Sequence, residues 1–76
     1  MKTSQDEKNI KAFGKNVMRL RKKEGISQAQ LGYESAIPAN TIARIERGEL
    51  NTAIANAYRI AEALNVEVGE LFMQHK

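Results

Sequence analysis

Cysteine is absent from this sequence, proline occurs once, and no apolar run extends beyond a few residues. Without cysteine there is no disulfide framework, no thiolate metal site and no thiol nucleophile, and a reducing compartment is the natural setting. The opening stretch MKTSQDEKNI lacks the apolar core of a secretory signal. Nothing approaches the roughly 20 apolar residues of a membrane span. The expectation is a soluble, cytoplasmic protein with no membrane partner. His75, one residue from the end, has no cysteine or second histidine with which to complete a metal site. The acids have no His or Ser partner at catalytic spacing. No cofactor or metal is expected, and an enzyme is the weakest functional reading. Period-two alternation and Asn-Gly turns are lacking as well, which argues against a sheet.

What is present suits one small domain, residues 1–76. A chain of this length buries only about 60–65% of the surface its unfolded state exposes, leaving no room for a second domain or a long internal ligand cavity. The formal net charge is +3, from 12 Lys and Arg against 9 Asp and Glu, a weak pointer to an acidic partner. Its distribution says more. Residues 8–23 hold Lys8, Lys11, Lys15, Arg19, Arg21, Lys22 and Lys23 and no acid, a local charge of +7. From Gly48 onward Arg59 and Lys76 stand against Glu49, Glu62, Glu67 and Glu70, a net −2. Taken alone, the basic segment is either a solvated helix face or part of a surface for an anionic partner.

Ile10, Phe13, Val17 and Leu20 recur at spacings of three, four and three, an apolar stripe along a helix over about 6–24. Gly14 within it costs about 1 kcal/mol relative to Ala, and Gly25 supplies the left-handed residue that stops it. Ser27 is a good N-cap for a second helix over about 28–34, anchored by Leu31. Pro38 suits the first turn of a third helix over about 38–47, where a missing N–H costs nothing. There Ile42 and Ile45 join Ile37 in facing the core, while Ala39, Asn40, Ala43, Arg44 and Arg47 fall on the other side; Gly48 is the stop. Thr52 can cap a fourth helix over about 53–64, with Ile54, Ala57, Ala61 and Leu64 as its stripe, Tyr58 and Ile60 beside it, and Asn65 closing it. A short fifth helix over about 67–72 leads into Leu71-Phe72-Met73. The expected fold class is all-α, five short helices of which the second and third form a helix-turn-helix.

The run RLRKKEGISQAQLGYESAIPANTIARIERGELN, followed by IAEALNVEVGELF, resembles the Cro/C1-type helix-turn-helix regulators, also called the Xre family. The likeness covers roughly residues 10–73. Its most specific pieces are Ser27-Gln28 with Leu31, the segment Ile42 to Gly48, and the late Ile60-Ala61, Ala63-Leu64 and Leu71-Phe72. The resemblance implies a compact, lambda-repressor-like DNA-binding domain that dimerises on a two-fold symmetric operator with helix 3 in the major groove. The sequence departs from the pattern at Gly32, where Ala is usual; either is small enough for helices 2 and 3 to cross closely. It departs again at Ala36, where Gly is usual because the chain tends to a positive φ there. At Ala43 a frequent Ser, and with it one polar contact, is missing.

The resemblance places the Gln28 amide on a phosphate at the N-terminus of helix 2, aided by free backbone N–H groups and the helix dipole; the alternative is a solvated Gln. Ser27 beside it is a cap with or without DNA. Asn51 matches a phosphate-contacting position of the family, and Arg47 has a similar claim. Thr41 either reaches a phosphate or bonds its own backbone. For base reading helix 3 offers Ala39, Asn40, Ala43 and Arg44: Asn40 can pair bidentately with adenine, Arg44 with guanine, and the Ala methyls can meet a thymine methyl. The resemblance makes Arg21 and Glu46 a partly buried structural ion pair between helix 1 and the end of helix 3. Leu71, Phe72 and Met73 close the core and are candidates for a homodimer interface. Only four residues follow Phe72, so no effector-binding domain is expected. The leading expectation is a transcriptional regulator, a repressor or controller bound to double-stranded DNA as a homodimer; phage repressor, restriction-modification controller and antitoxin all fit. The competing one is a protein-interaction module, such as an antitoxin, with weak or secondary DNA binding.

Overall fold

The structure is a computed structural model that describes residues 3–74; His75 lies outside the described residues. Four α-helices and one 3₁₀ segment follow one another: α1 (Ser4–Glu24), α2 (Gln28–Ser35), α3 (Ala39–Glu46), α4 (Ile54–Leu64) and the 3₁₀ segment Val68–Phe72. No strand occurs among the described residues.

Local chemistry explains most boundaries, including those that differ from the sequence reading. α1 starts two residues early because Thr3 and Asp6 form a capping box: Thr3 Oγ1 accepts from the Asp6 N–H at 3.0 Å and Asp6 Oδ2 accepts from the Thr3 N–H at 3.1 Å. It stops at Gly25, φ 75°. Ser27 caps α2, its Oγ accepting from the Gln30 N–H at 3.0 Å. Pro38 stands outside α3 rather than in its first turn; its extended φ −55°, ψ 141° bring the chain in, and its carbonyl accepts from the N–H groups of Thr41 and Ile42. Thr52 does not cap α4. Ala53 takes that place with no side-chain bond, and Thr52 Oγ1 instead accepts from Asn56 Nδ2 at 2.8 Å. The expected fifth helix is a 3₁₀ turn of five residues, too short for α-helical cooperativity and held by a Glu67–Glu70 capping box.

The core is built from Val17 and Leu20 of α1, Leu31 of α2, Ile37 of the turn, Ile42 and Ile45 of α3, Ala57, Ile60, Ala61 and Leu64 of α4, and Leu71. Ile54 is not part of it. That side chain, expected in the α4 stripe, is 73% exposed, and Tyr58 is exposed too; Ile60 does the packing instead. α1 crosses the end of α3 so closely that a Cβ at Gly14 would lie 2.2 Å from the Ile45 carbonyl oxygen. Buried Asn16, one turn from the apolar stripe, donates through Nδ2 to the carbonyls of Leu71 (2.9 Å) and Met73 (2.7 Å), tying the C-terminal segment to α1. Two backbone acceptors satisfy both amide hydrogens, so the polar group costs the core little.

Candidate nucleic-acid interface

α2, a three-residue turn and α3 form the helix-turn-helix, and its geometry rests on two small residues. Ala36 ends α2 in the left-handed region, φ 58° and ψ 37°, so the chain reverses there despite its Cβ. At Gly32 a Cβ would lie 2.6 Å from the Ile37 carbonyl oxygen and 3.2 Å from the Ala39 nitrogen. α2 therefore sits against the start of α3 with no space between the backbones.

α3 is strongly two-sided. Ile42 and Ile45 are fully buried, whereas Ala39, Asn40, Arg44 and Arg47 are exposed and Ala43 half-buried. At about 100° per residue these five share an outward sector roughly 140° wide. Thr41, half-buried, lies on its flank, and its hydroxyl makes no hydrogen bond among the described residues. Asn40 and Asn51 also keep their side-chain amides uncommitted there. Arg44 is in no ion pair, although its charge reaches Glu49.

Arg47 is not free in the same way. Its Nε donates to Glu49 Oε2 at 2.8 Å and its Nη2 to Oε1 at 3.2 Å, both side chains more than half exposed. This hydrogen bonding, slightly opposed by desolvation and helped by the charges of Arg47 and Arg44, holds the Glu49 carboxyl below the usual carboxylate range. Asn51 is exposed two residues further along the same loop.

Behind α3 lies a polar cluster. Arg21 of α1 meets Glu46 at the end of α3 side-on, Nε to Oε2 at 2.7 Å and Nη2 to Oε1 at 3.0 Å, while its Nη1 donates to the Ile26 carbonyl at 2.9 Å. The hydrogen bond to Glu46 raises the Arg21 pKa; burial opposes that and the carboxylate charge adds to it. Gln28 belongs to this cluster as well: its Nε2 donates to Glu46 Oε1 at 3.0 Å, and the residue is half-buried. The first residue of α2 is thus fixed to the last of α3. Ser27 stays exposed beside it, its hydroxyl engaged as the cap.

The C-terminal residues separate. Leu71 is fully buried and offers no surface to another molecule; it faces inward because the Asn16 bonds turn the 3₁₀ segment that way. Phe72 and Met73 are each 53% exposed, and the Phe72 ring lies 5.1 Å from that of Phe13. An apolar cleft of about 280 Å³ opens beside Phe72 and Phe13 toward Leu50, Ile54 and Ala57. Sequence reasoning missed Asn16, the closeness at Gly14 and the Gln28–Glu46 bond. Each depends on a neighbour far along the chain, and none leaves a local pattern. No group of three metal-ligating side chains occurs among the described residues, and no helix there is long and apolar enough to cross a membrane.

A family model described as "Helix-turn-helix" matches residues 17–71. An HTH-type transcriptional regulator of Sinorhizobium fredii is 33% identical over 61 residues, 80% of this chain and 79% of that protein. The crystal structure of the restriction-modification controller protein C.AhdI from Aeromonas hydrophila superposes with a TM-score of 0.84 at 32% identity, covering 87% of this chain and 96% of that one. The clp gene regulator ClgR from C. glutamicum shares the fold, with a TM-score of 0.76 at 20% identity over 80% of this chain and 79% of that one.

Proposed function

The chain belongs to the helix-turn-helix family of DNA-binding transcriptional regulators, of the Cro/C1 type, and from that premise we propose that it binds a two-fold symmetric operator as a homodimer. The observation that carries this reading is the outward sector of α3, where Asn40 and Arg44 stand exposed with no hydrogen bond or ion pair among the described residues while both isoleucines are locked inside. In the major groove Arg44 donates in bidentate fashion to guanine O6 and N7, and Asn40 pairs with adenine N6 and N7. Ala39 and Ala43 supply methyl contacts to thymine.

Phosphates set the register of this helix. Ser27 and Gln28 lie at the α2 N-terminus, where unpaired N–H groups favour an anion. One Gln28 N–H is on Glu46, and the second is the one this reading assigns to a phosphate oxygen. Thr41 flanks the groove, and Arg47 and Asn51 approach the backbone from the loop behind α3. Arg21 and Glu46 act through these residues by fixing α2 and α3 to α1.

Phe72 and Met73 form the dimer contact together with Ile54, which shares a cleft with Phe72, and Tyr58, one turn further along α4, all of them exposed; Leu71 is left out, being core. The likeness to a restriction-modification controller supports a small regulator acting by operator occupancy, in the cytoplasm, with no catalytic step. Salt dependence tests the DNA reading. Six to ten phosphate contacts lower affinity by about 10³–10⁵ between 50 and 200 mM salt. A flat response would favour a module that binds a protein instead.

A further inference from the structure

We infer that α1 carries a second DNA contact, a row of lysines formed by Lys8, Lys11, Lys15 and Lys22 that grips the phosphate backbone beside the operator half-site; this rests on the DNA-binding reading above. The four stand at offsets of three, four and seven residues, which places them within a sector about 60° wide and about 21 Å long. All four are exposed, and none forms an ion pair or hydrogen bond among the described residues. Like charges one turn apart weaken a helix, and no acid occurs between Lys8 and Lys23 to relieve them. Glu7, one turn before Lys11, is the one acid of α1 placed to relieve the row, and a surface left with this excess of positive charge suits an anion from outside.

Position singles out DNA among anionic partners. Gly14 of α1 touches the end of α3, and one turn earlier the backbone and side chain of Lys11 pack on Gly48, where a Cβ would come within 2.6 Å of Lys11 Cγ. Lys11 therefore abuts the loop that holds Arg47 and Asn51, and the row extends from the edge where Arg47 pairs with Glu49. Lys8, Lys11 and Lys15 also line an open groove of about 320 Å³ whose other walls, Ala12, Asn16, Met73 and Gln74, carry no acid. Duplex DNA offers one negative charge per about 1.7 Å of axis, so a row of this length faces several phosphates.

The test compares wild type with the fourfold variant Lys8→Gln, Lys11→Gln, Lys15→Gln, Lys22→Gln, and with Arg59→Gln, an exposed cation on α4 that is not part of the row. Binding to a duplex carrying the selected operator with long flanks is measured against salt concentration. The expected result is a salt slope shallower by about two to four units per protomer in the fourfold variant, with unchanged base preference and an unchanged helical spectrum. A fourfold variant whose slope matches wild type, or falls per charge no more than that of Arg59→Gln, overturns the row as a contact. Absence of any DNA binding by wild type would instead remove the reading on which the row rests, and the row with it.

Discussion

At the scale of single residues the most telling arrangement is the Arg47–Glu49 pair. A carboxylate on a surface proposed to meet phosphate opposes such binding twice, by its own charge and by holding a cation. Both side chains are exposed, so the pair exchanges readily for a phosphate. Glu49→Gln releases Arg47, and the expected outcome is tighter DNA binding with a salt slope steeper by about one unit, read from affinity across a salt series. Glu46 presents the opposite case. Its carboxylate is nearly enclosed and accepts from Arg21 and Gln28, so Glu46→Ala leaves a guanidinium without its partner. A loss of about 3–5 kcal/mol in unfolding free energy is expected, together with weaker DNA binding as α2 and α3 lose their common anchor. Denaturant melts and binding isotherms measure the two.

At the scale of elements, the sequence made α1 to α4 legible because their apolar spacing, end glycines and the Ser27 cap are local signals that the packing respects. Boundaries slipped where a side chain could act in two ways: Thr52 turned to Asn56, and Pro38 closed the turn instead of opening the helix. The last element was misread because five residues with an apolar end look alike as α- or 3₁₀-helix until Asn16 is seen holding it. The outward face of α3 was legible for the same periodic reason. The engagement of Gln28 by Glu46 was not, since it joins residues 18 positions apart. Gly14 was readable only as a helix-weakening residue; the Ile45 carbonyl pressed against it supplies the reason for its presence. The turn itself carries strain at Ala36. Ala36→Gly removes the Cβ penalty of the left-handed region, and after the added freedom of the unfolded chain a gain of about 0.5–1 kcal/mol remains. A thermal melt showing no gain would mean that the turn accommodates the methyl without cost.

At the scale of the whole molecule, charge and apolar surface separate except at Met73, which also walls the lysine groove. The lysine row and the α3 face carry the positive charge, while Ile54, Tyr58, Phe72 and Met73 lie exposed on or beside the acid-rich C-terminal part. The proposed dimer has to bring two α3 helices to the same side of the pair, as a two-fold operator requires. The double substitution Ile54→Asp, Tyr58→Asp adds charge to two exposed positions of α4 and is expected to give a folded monomer by sedimentation equilibrium, with operator affinity reduced at least tenfold. An intact dimer would place the interface elsewhere.

The central claim, that α3 reads bases from a symmetric pair, is tested most directly by selecting bound sequences from random duplex DNA with wild type and with Arg44→Ala. The expected result is a palindromic site with half-sites centred about one helical turn apart. In the variant the expected result is lost preference for one guanine per half-site, a discrimination of about 1–3 kcal/mol, with the rest of the site retained. An asymmetric site, or an identical preference in wild type and variant, would contradict the claim.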